Sequence, residues 1–447
     1  MASAAEQLAA NVNWSAFAKA TELQKRLWFT LGALVVFRLG TYIPVPGVDP
    51  LIMKDVFEQN ASGVFGMFNV FAGGALERMT IFALNVMPYI SASIIMQLMT
   101  TIVPTVEQWK KEGEQGRKKI NQYTRYGTVI LAAFQAYGIA VGLEGLSGSI
   151  GNAVHNPGMF FRFTTVVTLT GGTMFLMWLG EQITSRGVGN GISLIIFAGI
   201  VAELPSALAG TLELGRLGTL STGIILFLII LIVAVIAFIV YMERAQRRVL
   251  VQYPKRQMGN RMVGGETSHL PLKLNTAGVI PPIFASSLLL MPVTVAQFAQ
   301  GSGPEWIQTL VAMLGRGQPL YLALYVSGIV FFCFFYTSVV FNPTETADNL
   351  KKNGGFVPGI RPGQRTAEHL DHILTRITVI GAAYLTAVCL LPELLISQWG
   401  VPFYFGGTSL LIVVSVTMDT VGQIQSHLLA HQYEGLIKKS RLRGTRR

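Results

Sequence analysis

Two uncharged apolar stretches are the strongest constraint on how this 447-residue chain can fold. Residues Gly223 to Met242 are twenty in a row without a charge, and Leu320 to Phe341 are twenty-two. A helix rises about 1.5 Å per residue, so about 20 apolar residues cross the hydrocarbon core of a bilayer. Only 13% of the residues are charged and the mean hydropathy is +0.49, which excludes an ordinary soluble protein and a disordered chain.

Eight further stretches are apolar enough to be spans, which predicts ten membrane helices in an all-α polytopic membrane protein. The two cysteines, Cys333 and Cys389, lie inside apolar runs, so no disulfide framework is expected. Residues 1–26 are polar, and no cleavable signal peptide is expected there. The eight further spans are predicted at Leu27–Ile43, Ile81–Val103, Thr124–Leu143, Arg162–Ile183, Ile192–Leu212, Thr276–Phe298, Thr375–Leu391 and Gly406–Ala430.

The distribution of basic residues orients these spans. With the N-terminus placed in the cytoplasm, 27 of the 34 lysines and arginines fall in or next to the segments on that side. The opposite loops carry three, Lys54, Arg216 and Arg316, and the other four lie in or beside spans. Cytoplasmic loops of membrane proteins carry an excess of Lys and Arg. Both termini are therefore predicted to be cytoplasmic.

A short sequence pattern occurs twice, 193 residues apart. Residues 86–93 read VMPYISAS and residues 279–286 read VIPPIFAS. The first copy lies in the second predicted span and the other in the seventh, so each is the second span of a five-span half. An odd number of spans per half makes the copies cross the membrane in opposite directions, which is typical of inverted repeats. The prolines predict a break inside both helices at matching depth.

The side chains around these prolines are apolar, and spans two, three, six, seven and eight carry no acid in their cores. An ion or small polar solute would need charged or clustered polar groups at the midplane. An apolar constriction that seals is the expected alternative. The segment Phe65–Leu76 is apolar but too short to cross, and Gly73-Gly74 gives it a flexible joint. It is either an interfacial helix or a movable stopper in a pore.

Four long motifs resemble those of the SecY family of bacterial protein-conducting channels, over about residues 20–437. The second span, residues 80–97, reads TIFALNVMPYISASIIMQ, and residues 178–193 read WLGEQITSRGVGNGIS. Residues 341–352 read FNPTETADNLKK and are followed by PGIRPG at 358–363, while residues 401–412 read VPFYFGGTSLLI. Asn85 stands where the family usually has Gly, Val86 where it has Ile, and Pro282 where it has Ala.

The resemblance implies a clamshell of two inverted five-helix halves around a central hourglass pore. A lateral gate towards lipid is implied between spans two and seven, and a plug at about Phe65–Arg78. The implied waist is a ring of six apolar side chains, Val86, Ile90, Ile192, Ile196, Ile283 and Ile412. The residues expected to form the plug are Phe65, Met67, Phe68, Phe71, Gly73 and Gly74.

The predicted domain organisation follows the two halves. The N-terminal half is residues 27–215 and includes the plug at 65–78. The C-terminal half is residues 216–431, with long basic cytoplasmic loops at 243–274 and 342–373. A cytoplasmic segment at 1–26 and a basic tail at 432–447 flank the halves.

The resemblance implies that the two basic loops bind a motor ATPase and the ribosome. Arg361 precedes Pro362-Gly363, so its guanidinium is expected to be presented stiffly for bidentate contact with carboxylate or phosphate. The implied partners are the small membrane subunits SecE and SecG, the SecA ATPase, the ribosome with its RNA, signal sequences and nascent chains, SecDF, YidC and membrane lipids. The residues expected to dock are Arg247, Arg248, Lys255, Arg256, Arg361 and Arg365.

Two other functions were considered beside the passive channel. A secondary transporter also fits an inverted repeat, but it needs polar or acidic groups at the midplane. The G-x-S-G run at Gly145–Gly148 resembles an intramembrane serine protease motif, yet it lies in a short outer loop. No Walker A motif occurs, so the chain is not expected to hydrolyse ATP itself, and the resemblance implies a channel and not an enzyme. The pairs His369/His372 and His427/His431 lack further ligands, and no metal or cofactor is expected.

Overall fold

A computed structural model describes most of the chain. It covers residues 20–60, 69, 72–144, 147–148, 151–217, 221–254, 256–258, 261–263, 267–298, 313, 318–399 and 407–444.

Thirteen α-helices of eight or more residues make up most of the described part of the chain. They are α1 (Thr21–Gly40), α2 (Pro50–Asn60), α3 (Met87–Ile102), α4 (Pro104–Lys111), α5 (Glu114–Glu144), α6 (Met159–Arg186), α7 (Gly191–Arg216), α8 (Thr222–Arg244), α9 (Ile280–Phe298), α10 (Pro319–Val340), α11 (Pro343–Lys352), α12 (Gln364–Trp399) and α13 (Gly407–Gly444).

Each of the ten predicted spans coincides with one of these helices, namely α1, α3, α5 to α10, α12 and α13. Among the described residues, seven helices are long and apolar enough to cross a membrane. An eighth span is possible if α3 and α4, which meet at 97°, are counted as one bent unit. Helices α1 and α9 are not among the seven. The part of α9 whose side chains are described, Ile280–Leu289, is shorter than a span, and α1 carries the charged residues Lys25, Arg26 and Arg38.

Several helices are longer than the spans predicted for them. Helix α5 begins at Glu114, ten residues before the predicted start, and α12 begins at Gln364, eleven residues before. Helix α13 runs on to Gly444, into the predicted basic tail. Apolarity detects only the part of a helix that lies in lipid, whereas Glu, Gln, Lys and Arg continue a helix equally well in water.

The two copies of the repeated pattern begin their helices at equivalent residues. Helix α3 begins at Met87 and α9 at Ile280, again 193 residues apart. Pro88 is therefore the second residue of α3, while Pro281 and Pro282 are the second and third of α9. The predicted break inside these helices is wrong, because proline in the first turn removes an amide that has no partner within the helix anyway. The equivalent starts support the repeat.

The helix of the second span, α3, begins later than predicted because residues 81–86 form turns and not helix. Asn85 within them has a φ of 49° and is 2% exposed. This left-handed conformation is costly for most side chains and is tolerated best by Gly, then by Asn and Asp. The conformation explains why Asn can stand where Gly is usual in the family that the motifs resemble.

The basic loop at 243–274 is a β-hairpin, which the sequence analysis did not predict. Strand β3 (Gln246–Gln252) pairs antiparallel with β6 (Thr267–Lys273), and Val249 lies opposite Leu270. In chain order the other short strands are β1 (Ser147–Gly148), β2 (Gly151–Asn152), β4 (Arg256–Met258) and β5 (Arg261–Val263).

Most of the largest buried side chains belong to one apolar cluster. It draws residues from α1, α3, α6 to α10, α12 and α13, so helices from both halves of the chain share it. A second cluster includes buried residues of α2, α5 and α6, and a third packs the hairpin against the start of α12. The shared cluster lies where the two halves of the chain meet.

The left-handed backbone at residue 85 predicts a specific order of stability. Asn85→Gly and Asn85→Ala both remove the side chain's contacts, so their difference reports the backbone conformation. We expect Asn85→Ala to be less stable than Asn85→Gly by about 1 kcal/mol. Thermal unfolding of the detergent-purified protein measures this.

The same pair of changes at Asn353 is the control. Asn353 ends α11 with a φ of −82°, a value that alanine adopts without strain. The alanine variant should there be as stable as the glycine variant or more so. An alanine variant that matched the glycine variant at residue 85 would show that the residue is not left-handed.

Candidate functional site

The six side chains expected to form a ring come from four different parts of the chain and share one apolar cluster. Val86 occupies the N-cap position of α3, and Ile90 follows one turn later. Ile192 and Ile196 are one turn apart on α7. Residues four apart lie on the same face of a helix. The ring members in the cluster are Val86, Ile90, Ile196 and Ile412, which are buried, and Ile192 and Ile283, which are partly buried.

The start of α7 is positioned by close contact with α6. A Cβ added to Gly191 would overlap the carbonyl oxygen of Gly180, so only glycine allows the two backbones to approach this closely. The Asn190 side chain accepts a hydrogen bond from the Ile192 amide at 3.2 Å and caps the helix. The Gly191 amide donates to Thr184 Oγ1 at 2.8 Å. These contacts fix where Ile192 and Ile196 lie.

Helices α3 and α9, which are expected to form the lateral gate, are in contact. Ser287 Oγ of α9 lies 3.9 Å from Met87 Sδ of α3, a weak polar contact between two otherwise apolar surfaces. On the side of α4, Lys110 Nζ donates to the Val339 carbonyl at the end of α10, at 3.2 Å. This bond links the two halves of the chain next to the predicted gate.

The glycine joint of the expected plug is described, together with Asn69 and Ala72. Phe65, Met67, Phe68 and Phe71 lie outside the described residues. Gly73 and Gly74 have φ values of 64° and 78°, which favour glycine. Arg38 Nη1 of α1 donates to the Gly73 carbonyl at 2.7 Å.

Asn69 and Glu77, on opposite sides of the glycine joint, are hydrogen-bonded to each other. Asn69 Oδ1 accepts from the Glu77 amide at 3.0 Å, and Asn69 Nδ2 donates to Glu77 Oε2 at 3.3 Å. The two bonds join residues eight positions apart, one on each side of the glycine joint.

The two basic loops form one unit. Gln252 at the end of β3 exchanges backbone hydrogen bonds with Phe356, at 2.9 and 3.0 Å. Beneath this bridge, Val249 and Leu272 of the hairpin pack with Val357 and with Leu370 of α12. The sequence analysis treated the loops separately, and the structure brings them together.

The expected docking residues that are described lie on the surface of this unit. Arg247 and Arg248 are exposed on β3, and Arg361 and Arg365 are exposed at the start of α12. Lys255 lies outside the described residues, and only the backbone of Arg256 is described. The Arg361 carbonyl accepts from Thr366 Oγ1 at 2.8 Å, between left-handed glycines at 359 and 363. The backbone of Arg361 is thus held, and its side chain is exposed.

The alternatives find little support in the geometry. Ser147 of the G-x-S-G run lies in the two-residue strand β1, paired with β2, rather than on a buried helix. Within the described parts of the chain, no group of three His, Cys, Asp or Glu side chains could hold a metal ion.

Sequence reasoning missed two polar features near the site. Glu203 is partly buried in α7 and faces the glycine joint. Arg125 of α5 forms a bidentate ion pair with Glu181 of α6, with the shortest distance at 2.7 Å. Both acids lie in or at the end of apolar stretches, where an acidic residue is costly and usually has a partner. That rarity is a signal in the sequence itself, since Glu203 lies near the middle of the fifth predicted span.

Comparisons with known proteins agree with this architecture. The model of a family described as SecY matches residues 80–421. The chain is 56% identical over 424 residues to the "Protein translocase subunit SecY" of Escherichia coli (strain K12), covering 95% of this chain and 96% of that one.

Two solved structures share the fold at 18% identity, each covering 91% of this chain and 92% of its own. One is of a SecY protein whose plug domain is said to stabilise the closed channel and maintain a membrane seal, with a TM-score of 0.62. The other is Sec61 in a canine ribosome–channel complex from the endoplasmic reticulum, with a TM-score of 0.58. The predicted fold class, an all-α polytopic clamshell, is confirmed.

The packing of the glycine joint predicts the outcome of one substitution. A Cβ added to Gly73 would lie 2.8 Å from Gly199 Cα, a backbone atom of α7 that cannot move aside easily. We expect Gly73→Ala to lower the melting temperature of the purified protein through both backbone strain and this overlap.

Gly278→Ala is the matched control for this experiment. Gly278 has the same φ of 64°, but nothing lies within 4 Å of an added Cβ. It should therefore show the strain alone, about 1 kcal/mol. Equal losses in the two variants would mean that the joint does not pack on α7.

Proposed function

The chain belongs to the SecY family, and we propose that it forms the channel through which unfolded polypeptides cross a membrane and from which apolar segments leave sideways into lipid. It is a multi-pass membrane protein and a subunit of a protein translocase, not an enzyme. The observation that carries the proposal is the apolar cluster that collects six branched aliphatic side chains from both halves of the chain.

An apolar constriction suits a channel for polypeptides of any sequence. Branched aliphatic side chains form no hydrogen bonds, so they hold no passing side chain strongly, and they exclude water and ions when nothing passes. Val86, Ile90, Ile192, Ile196, Ile283 and Ile412 are the residues proposed for this ring. The partial exposure of Ile192 and Ile283 supports an opening beside them.

The contact between α3 and α9 supports a lateral exit. Leu, Ile, Val and Phe gain about 0.3–0.6 kcal/mol each on entering the bilayer centre, so a run of about ten prefers lipid to water. An apolar segment in the pore would leave between these two helices if they separated. Among the side chains that the structure describes, the polar contact that joins these helices directly, and would have to break, is that of Ser287 with Met87.

Family membership decides against the secondary transporter. Glu203 is nevertheless an acid in the middle of α7, the kind of residue that a coupled transporter needs at the midplane. Glu203 contacts the plug joint, which supports a part in closing the channel rather than in binding a solute.

The proposed location is the bacterial plasma membrane, with both termini in the cytoplasm, as the bias of basic residues predicts. The proposed partners are SecE, SecG, the SecA ATPase, the ribosome, signal sequences and nascent chains, with SecDF, YidC and lipids as further contacts. The structural neighbour in a ribosome–channel complex supports ribosome docking. The joined surface of the two basic loops, with Arg247, Arg248, Lys255, Arg256, Arg361 and Arg365, is the proposed docking site.

The ring proposal predicts that polarity, not size, controls the seal. Ile412→Asn should weaken the closed state, because an amide in the cluster draws water into it. Ion conductance of the purified channel in a planar bilayer should rise, and a reporter with a defective signal sequence should be exported. Ile412→Val, which stays apolar, should do neither. Unchanged conductance and export in the Asn variant would contradict the ring.

The docking proposal predicts a difference between two neighbouring cations. Arg361→Glu should weaken binding of SecA and of ribosomes, because it replaces a stiffly held guanidinium by a repelling charge. Losing a buried charge partner costs about 2–5 kcal/mol, or roughly two to three decades in affinity. Stability should hardly change, since Arg361 is exposed.

Lys351→Glu is the control for charge alone. Lys351 is exposed nearby, on a flexible side chain, and should cost much less. Binding of each partner is titrated at low and moderate salt. Equal small losses for the two variants would show that only bulk positive charge matters.

A further inference from the structure

Glu203 is an unusual residue for its position. It is the thirteenth of the 26 residues of α7, in the middle of an apolar helix, and its side chain is only partly buried. An ionisable residue inside a membrane helix is costly and commonly has a function. Neither the ring nor the docking surface uses it.

Glu203 and Gly199 together form a seat for the glycine joint. They are four residues apart and so lie on the same face of α7. Gly73 approaches so closely that an added Cβ would lie 2.8 Å from Gly199 Cα. A Cβ on Gly74 would lie 2.5 Å from Glu203 Oε1 and 3.6 Å from Arg78 Nη2. The joint is therefore enclosed between a carboxylate and a guanidinium.

A second arginine reaches the joint from α1. Besides donating to the Gly73 carbonyl, Arg38 donates through Nη2 to the Tyr42 hydroxyl at 3.1 Å. The guanidinium carbons of Arg38 and Arg78 lie 5.0 and 4.5 Å from the centre of the Tyr42 ring. An aromatic ring favours cations over its face, so Tyr42 helps to hold both arginines.

Two guanidinium groups act on the Glu203 carboxyl group beside the joint. Arg38 and Arg78 both attract the carboxylate, whereas burial and the carboxylate of Glu77 oppose its charge. The two arginines therefore offset part of the cost of holding a carboxylate at this place.

We propose that Arg38, Arg78 and Glu203 form an electrostatic latch that holds the glycine joint of the plug on α7 and so keeps the channel closed at rest. The proposal rests on the proposed function, since it assigns the latch to that channel's plug. It differs from the ring in its physics. Salt screens charges, whereas the apolar ring gains nothing from low ionic strength.

The first test removes the charge of Glu203 and keeps its shape. Glu203→Gln should raise the frequency of resting openings in a planar bilayer about tenfold, a factor that corresponds to 1.4 kcal/mol. The ratio of variant to wild type should be larger at 0.1 M salt than at 1 M, because the screening length falls from about 10 Å to about 3 Å and a partly buried charge is still screened in part. Glu213→Gln, an exposed acid on the same helix paired with Arg216, is the control and should behave as wild type.

The second test measures the contact itself by a double-mutant cycle. Gly74→Ala brings a methyl group against Glu203, and Glu203→Ala removes the obstacle. The backbone strain at residue 74 is present in both backgrounds and cancels. If the joint sits on Glu203, Gly74→Ala should raise the opening frequency clearly less in the Glu203→Ala background than in the wild type.

The outcomes separate the latch from the function on which it rests. Wild-type channel that passes no polypeptide would overturn the proposed function, whatever the latch variants do. Wild-type channel that works, with Glu203→Gln indistinguishable from Glu213→Gln at 0.1 M salt, would overturn the latch alone. Additive effects in the cycle would also overturn it. A salt-dependent rise together with a non-additive cycle would support it.

Discussion

Inside a bilayer no water is available to hydrogen-bond a backbone amide or carbonyl, so each must find its partner within the protein. The chain between Gly73 and Val86 leaves the helical pattern, and several of its amides and carbonyls still bond within the protein. The Ile81 amide donates to Ile43 at 3.0 Å, and the Val45 amide donates to Met79 at 2.9 Å. Because these bonds enclose the irregular segment in protein, the joint and the start of α3 can lie beside the pore without exposing backbone to lipid.

Closing a channel that must pass any sequence poses two separate physical problems. The waist must exclude ions without binding the client. In the proposed ring, aliphatic side chains such as Ile90 and Ile412 would do so because they offer no hydrogen bonds. The movable part must have a defined resting place, which aliphatic contacts specify poorly, because they are non-directional. Directional contacts to the Gly73 carbonyl and the close approach to Gly199 supply that definition. The proposed channel thus combines an apolar ring with a polar joint.

The sequence predicted the ten helices from the length of apolar stretches, the repeat from a short pattern that recurs after 193 residues, and the basic loops from their Lys and Arg counts. Each of these signals is read directly from short stretches of sequence. The sequence did not predict the hairpin at 246–273, since two seven-residue strands among charged residues carry little alternation. Nor could it predict the bridge from Gln252 to Phe356, which joins distant segments through backbone atoms. Glu203 was visible in the sequence, but its meaning depends on facing Gly74, which only the fold reveals.

The interface between α3 and α9 is suited to opening because little free energy distinguishes its closed form from one filled by an apolar segment. Helices in lipid gain no hydrophobic free energy by meeting, since lipid tails are as apolar as leucine. The polar link of Ser287 to Met87 is a weak sulfur contact, and Lys110 to Val339 is a single exposed bond, of a kind that contributes about 1 kcal/mol. An entering apolar helix replaces the remaining contacts by equivalent ones. The proposed gate would therefore admit such a segment and reject a polar one, which would leave its own groups unsatisfied between the helices.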